Sequence, residues 1–251
     1  MFTCAAWSES LDPAGVFVGQ AAIPDQHMRV EGDSLFIQEY NLLLGGYACD
    51  GSVAGLHRFV SPSLRRVNSW YLNPVEQALV AAALPQHCVS AKNGVMLDPN
   101  EQLQTEYNAN PAGAEQCATL VVLADSRITP VEGQIHTIRF QVTAALVVDT
   151  WAFSEIDFID ELPVGSYDIV GGGIVAATGF AFRFVPTGAH NRPGGPCSTV
   201  IELVANDVFR YGRLGVWCSF EQIRPPGVEI ACTTAAGSAT YEGFMDVIRR
   251  T

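Results

Sequence analysis

At 251 residues and 27.0 kDa, with 48% hydrophobic and 16% charged residues, the chain can bury one large core or two smaller ones, and extended disorder, coiled coil and collagen are excluded. Fourteen basic against 26 acidic residues give a net charge of −12, which argues against a nucleic-acid groove as the main surface. Thirteen of the basic residues are Arg and one, Lys92, is Lys, a bias that suits surfaces buried on association.

In chain order, β-forming runs dominate. Residues 28–30, 34–44, 55–60 and 67–72 read as strands. Residues 74–84 read as a helix, because Pro74 opens an Ala-rich run. A second short helix is expected from Asp98, with Glu101 three residues on as in a capping box. A polar, turn-rich break follows at 108–113. Beyond it the strands are clearer: 119–124, 135–148, 151–159, 167–170, 180–185, 200–204 and 216–223. Residues 154–160 form the clearest of them, with Ile156 and Phe158 on one face and Glu155, Asp157 and Ile159 on the other. The expected fold class is all-β: two β-sandwich units side by side, 1–110 and 111–251, with short helical insertions, the first unit carrying the helix near 74–84. The structural alternative is a single sandwich with an elaborated N-terminal region.

A half-length repeat supports two units. Leu43-Leu44-Gly45-Gly46 precedes Arg58-Phe59-Val60, and Ile169-Val170-Gly171-Gly172 precedes Arg183-Phe184-Val185. The Gly pairs are offset by 126 residues and the Arg-Phe-Val triplets by 125, each half of the chain.

Motifs for chemistry are scarce. Residues 1–18 hold no Lys or Arg, and Glu9 and Asp12 interrupt any apolar run, so no signal peptide is expected. The longest charge-free stretch, the 14 residues between Asp168 and Arg183, is shorter than the ~18–20 of a membrane span. Seven cysteines (Cys4, Cys49, Cys88, Cys117, Cys197, Cys218, Cys232) include no Cys-x-x-Cys and are expected to be free thiols of a cytoplasmic product. His27, His57, His87, His136 and His190 are never closer than 30 residues, and the His-x-His of a cupin-type metal strand is missing. Glu155 and Asp157 sit side by side on one strand face, unlike the opposed carboxylates of a glycosidase. Gly171-Gly172-Gly173 lacks a following Lys-Ser/Thr and reads as a turn or bulge needing positive φ, not a phosphate loop. The only basic pairs are Arg65-Arg66 and Arg249-Arg250. No catalytic, cofactor-binding or metal residue is expected, and no cofactor.

Glu161-Leu162-Pro163-Val164-Gly165-Ser166-Tyr167-Asp168, Ala181-Phe182-Arg183-Phe184-Val185, Asn191-Arg192-Pro193-Gly194 and Phe209-Arg210-Tyr211-Gly212-Arg213-Leu214-Gly215-Val216-Trp217 stand in that order, with Phe220 after them. Together they resemble coat proteins of tailless icosahedral bacterial viruses, over residues 120–210 best; Arg58-Phe59-Val60-Ser61-Pro62-Ser63-Leu64-Arg65 fits the same picture in the first half. The resemblance implies a major capsid protein of the double jelly-roll type, self-assembling as pseudo-hexameric homotrimers into an icosahedral shell. It implies synthesis in the host cytoplasm and residence in the virion. The implied partners are other copies, virion proteins at the vertices, and an internal membrane or the genome on the inner face, without sequence-specific nucleic-acid binding. No enzymatic activity is implied. The alternative class is a soluble β-sandwich carbohydrate-binding module or glycoside hydrolase, for which Trp70, Tyr71, Trp151 and Trp217 are the aromatics to test.

Overall fold

A computed structural model describes the chain except residues 50–54, 67–71, 76–85, 88–93, 110–112, 198–207 and 251, and describes no side chains at 49, 65, 66, 72–75, 86 and 87. The fold is all-β, as the composition and patterning predict. In the first half the strands are β1 (Phe2–Leu11), β2 (Val18–Gly19), β3 (Val30–Glu31), β4 (Ser34–Phe36), β5 (Leu42–Cys49) and β6 (Gly55–Val60). The helical turn α1 (Pro62–Arg66) follows, then β7 (Leu72–Val75), β8 (Gln86–His87), β9 (Val95–Met96), β10 (Gln102–Asn108) and β11 (Glu115–Ala124). In the second half come β12 (His136–Leu146), β13 (Ala152–Glu155), β14 (Asp157–Phe158), β15 (Ser166–Ile174) and β16 (Gly179–Val185). The last four are β17 (Gly194–Pro196), β18 (Cys218–Glu221), β19 (Gly227–Cys232) and β20 (Ala236–Arg249).

All pairings among the described residues are antiparallel. Two sheets come from residues 1–124, in the orders β1-β11-β5-β8 and β3-β4-β10-β6-β7, with β9 beside β5 and β2 beside β10. Two come from residues 136–249, in the orders β14-β12-β20-β15-β18 and β13-β19-β16-β17. The order β1-β11-β5-β8 thus matches β12-β20-β15-β18, and β4-β10-β6-β7 matches β13-β19-β16-β17, strand for strand along the chain. Because β11 pairs with β1 and β5, the sheets change over after Ala124, not at the 108–113 break. Residues 110–112 of that break lie outside the described residues.

Both arms of the half-length sequence repeat fall at a register shift in a ladder. The β5–β11 ladder skips Leu44, and the β15–β20 ladder skips Val170, each immediately before a Gly pair. An extra residue in one strand is a β-bulge, and it turns the following backbone hard against its neighbours. A Cβ on Gly46 would run into the Leu120 carbonyl, and one on Gly171 would lie 2.7 Å from Asp246 Oδ2 and 2.9 Å from Phe209 O. Gly171–Gly173 therefore lie inside β15 and take no positive φ, contrary to the turn reading; close approach, not a left-handed backbone, requires them.

Patterning explains which strands were legible. In β12, Ile138, Phe140, Val142, Ala144 and Leu146 point to the core while the intervening residues stay wet or half-wet, a clean period of two. By contrast β1 and β11 are buried almost continuously. Phe2, Cys4, Ala6, Leu120 and Val122 share a core with Phe182, Phe184 and Trp217, whereas Ala5, Trp7, Val121 and Leu123 pack with Leu35, Phe59 and Leu103. A sheet buried on both faces loses alternation, which is why β1 has no counterpart among the predicted strands. Burial of each large side chain contributes about 1.5–3 kcal/mol, so these shared layers couple the two halves strongly.

Three local expectations are corrected. Asp98 begins a turn, not a helix: its N–H does donate to Glu101 Oε1 at 3.0 Å, but Asn100 at φ 67° ends any helical path before β10. Pro74 and Val75 belong to β7, an edge strand, where a residue without an N–H is tolerated, and 76–84 lies outside the described residues. The 154–160 strand is split at Ile156: β13 pairs with β19, and β14 with β12 in the opposite sheet. Its facing holds, with Ile156 buried and Glu155, Asp157 and Ile159 exposed. The expected strand at 200–204 and most of that at 67–72 lie outside the described residues.

Candidate functional site

The most elaborate polar site lies where the two halves meet. Arg183 stands on β16 directly across from Glu229 on β19, in a Phe-Arg-Phe run whose neighbours are core. Its side chain is 2% exposed, and that of Asp25, from the first half, is 1% exposed. Arg183 Nε donates to Glu229 Oε2 at 2.5 Å, and Nη1 donates to Cys4 O in β1 at 3.0 Å and to the Asp25 carboxylate. The guanidinium also lies 4.0 Å from the Trp151 ring centroid. The planar five-donor fork lets one buried cation meet two carboxylates, a carbonyl and an aromatic face together, as Lys could not.

Arg192 extends the cluster. Its Nη1 donates to Ala189 O at 2.8 Å and Asn191 O at 3.0 Å, and its Nη2 meets His27 Nε2. Its backbone links to β1 through Cys4 N to Arg192 O at 2.8 Å and Arg192 N to Thr3 Oγ1 at 3.1 Å. Asp25 folds the 25–28 segment by accepting His27 N at 2.7 Å and Met28 N at 3.2 Å. An arginine only donates, so His27 Nε2 accepts and the ring is neutral. Burial, and then the Arg192 charge, hold its pKa below the usual histidine value.

Arg58 repeats the core of this arrangement in the first half. It faces Glu106 across β6 and β10, donates to Glu106 Oε2 at 2.6 Å, and stacks 3.9 Å from the Phe17 centroid. Phe17 immediately precedes β2 beside β10, as Trp151 precedes β13 beside β19. A second buried carboxylate, Asp246 on β20, accepts from Arg210 Nε at 2.7 Å, Tyr211 N at 3.1 Å and Thr137 Oγ1 at 2.7 Å. It anchors the Phe209–Gly212 run, which the sequence singles out, against the bulge of β15.

The residues weighed from sequence are dispersed. His57 is buried edge-on to Phe59, with its pKa pushed down to about 3 by burial, and His136 is exposed. His27 and His190 come together at 6.3 Å between centroids, a pairing invisible in sequence. Among the described residues no group of three or more His, Cys, Asp or Glu could hold a metal ion. Asp157 accepts from Gln141 at 2.7 Å and, like Glu155, is exposed. Cys4, Cys117, Cys197, Cys218 and Cys232 are free and buried, and burial pushes the Cys4 and Cys218 thiols up to about 12. Cys88 and the side chains of Cys49, His87, Arg65 and Arg66 are outside the described set, as are Trp70 and Tyr71. Trp217 is fully buried, and the half-buried Trp151 carries Arg183 on one face of its ring. Arg249 donates to Val164 O at 3.2 Å and Arg250 pairs with Asp168 at 3.3 Å, docking the basic pair on the fold.

Sequence reasoning missed Asp25, His27 and Arg192 as a cluster. The available signal was Arg183 itself, a charge at core parity within aromatic neighbours. Such a group is stable only when paired and hydrogen-bonded. What the arrangement does is physical: it fixes the 25–28 segment and β1 against β16 and the 189–192 segment in one register. Comparison of the chain with protein-family models, with curated proteins and with solved structures finds no match.

Proposed function

We propose that this chain is a viral structural protein: the major capsid subunit of a tailless icosahedral virus, built as a double jelly roll and assembling through trimers into a shell. The observation that carries the reading is the repeated strand order. An eight-stranded jelly roll is two four-stranded antiparallel sheets made from two Greek keys. The orders β1-β11-β5-β8 with β4-β10-β6-β7, and β12-β20-β15-β18 with β13-β19-β16-β17, fit that description twice. The matching bulges and the matching Arg-Glu-aromatic sets at Arg58 and Arg183 support descent of both from one unit.

Fold alone does not carry function, since jelly rolls also serve lectins and cupins. The capsid reading adds the coat-protein resemblance of residues 120–210 and a polar site that ties the 25–28 segment and β1 to β16. Three chains with two similar sandwiches each present six similar units around an axis, and symmetric contacts of modest strength then multiply through a lattice. Light scattering on the purified protein, with negative-stain images, tests this. Trimers or closed shells are expected; a monomer at tens of micromolar across pH and salt contradicts it.

A further inference from the structure

We propose that a strip at one end of the second sandwich, built around Phe153, Val164, Ile223 and Arg224, is a docking surface for a second copy of this chain. This rests on the self-assembly reading and adds where a contact forms. Val164, Ile223 and Phe153 are 73%, 70% and 56% exposed, the three most exposed large apolar side chains among the described residues of the second half. Gln222 N donates to Gly165 O at 2.9 Å, which brings the Ile223 turn alongside the Val164 loop. A groove of about 380 Å³ then joins Phe153 to Pro225 and Pro226, and a second of about 260 Å³, sharing Thr187 with it, is lined by Arg224 and Arg250. Scattered apolar residues are ordinary on a surface, but a run of them with a cation marks an interaction site.

The strip is stiff. A Cβ on Gly227 would run into the Phe153 ring, so that ring is laid across the β19 backbone and held there while more than half exposed. Pro186, Pro225 and Pro226 form the lips, with φ fixed by their rings. An anchor already in place gives up little entropy on binding.

Charge complementarity favours a second copy: a chain with net charge −12 brings an excess of carboxylates to a contact, and a cation left without a carboxylate there offsets the repulsion between copies. Arg29, Arg58, Arg139, Arg183, Arg210 and Arg250 are all in ion pairs within the chain. Among the described residues, Arg192 and Arg249 donate to backbone carbonyls, and Arg127 and Arg224 have no side-chain hydrogen bond or ion pair. Glu221 accepts from Ser166 Oγ at 2.9 Å and Asp168 pairs with Arg250 at 3.3 Å, and neither is in an ion pair with Arg224. Arg224 therefore stands ready for a carboxylate of a neighbouring acidic copy, with Ile223 and Phe153 burying apolar area around it.

The test compares full-length wild type, Ile223→Asp and Arg224→Glu by sedimentation velocity and thermal unfolding, with a photo-crosslinking residue placed at position 223. The expected result is loss of the assembled species in both variants at an unchanged unfolding midpoint, and a crosslinked product of two chains from position 223. Variants that assemble as the wild type does, or a crosslink only within one chain, overturn the docking surface and leave the capsid reading standing. A wild type that never assembles overturns both. Because both side chains are exposed, a shifted unfolding midpoint in one variant is answered by Val164→Ser, which must also reduce assembly if the strip docks a copy.

Discussion

Replacing Arg183 by Met keeps the side-chain volume and its packing on Trp151 while deleting the cation. It leaves Asp25, 1% exposed, and Glu229, 17% exposed, without their shared partner, and the Cys4 carbonyl without a donor. Breaking a buried pair by removing one member costs about 3–5 kcal/mol, because the remaining charge is stranded away from water. In a chain of this size about 2–4 °C of unfolding temperature is lost per kcal/mol, so the loss is large enough to measure readily. The equivalent Arg58→Met change acts on an ion pair 25% and 23% exposed, where water can replace the partner, and should cost nearer 1 kcal/mol. Urea unfolding followed by tryptophan fluorescence measures both. Adding Asp25→Asn and Glu229→Gln to Arg183→Met should recover most of the loss, since no buried charge remains. Equal losses for Arg183→Met and Arg58→Met, or no rescue by the neutral pair, would refute the claim that this cluster locks the halves.

Acid should destabilise the wild type through its histidines: the folded pKa of His57 is about 3 and that of His27 is also lowered, so stability present above pH ~6.5 is lost as pH falls toward the folded values. His57→Leu should flatten most of that slope in urea midpoints, and His27→Gln a smaller part. Gly46→Ala should cost about 1–3 kcal/mol because the added Cβ meets the Leu120 carbonyl, whereas Gly237→Ala, with nothing within 4 Å, should be near neutral; thermal melts compare the two. The buried thiols Cys4, Cys197 and Cys218 should resist a thiol reagent in the native protein and react on unfolding, and disulfides in the purified protein would contradict the expected reducing origin.

Legibility followed the number of wet faces. Strands with one exposed face, such as β12 and the 154–160 run, could be placed from alternation, and even the split of that run between two sheets preserved its facing. Strands buried on both faces, such as β1, carry no period to read. The half-length repeat was visible because bulge glycines and a paired Arg are hard constraints: Gly46 and Gly171 admit no side chain, and Arg58 and Arg183 each face a Glu. The Asp98–Glu101 pair had the chemistry of a helix cap but served a turn, because the same side-chain-to-backbone bond satisfies either. The junction cluster was out of reach, since Asp25, Arg183 and Arg192 meet only through tertiary packing, and pairing across more than 150 residues leaves no local pattern.

The central claim, that two equivalent sandwiches per chain build a coat, is tested most directly by electron-microscopy averages of the assembled protein. For three chains of 27.0 kDa, a particle of about 81 kDa, the account predicts six similar lobes around a threefold axis. Averages with one lobe per chain, or no particle larger than the single chain, would contradict it.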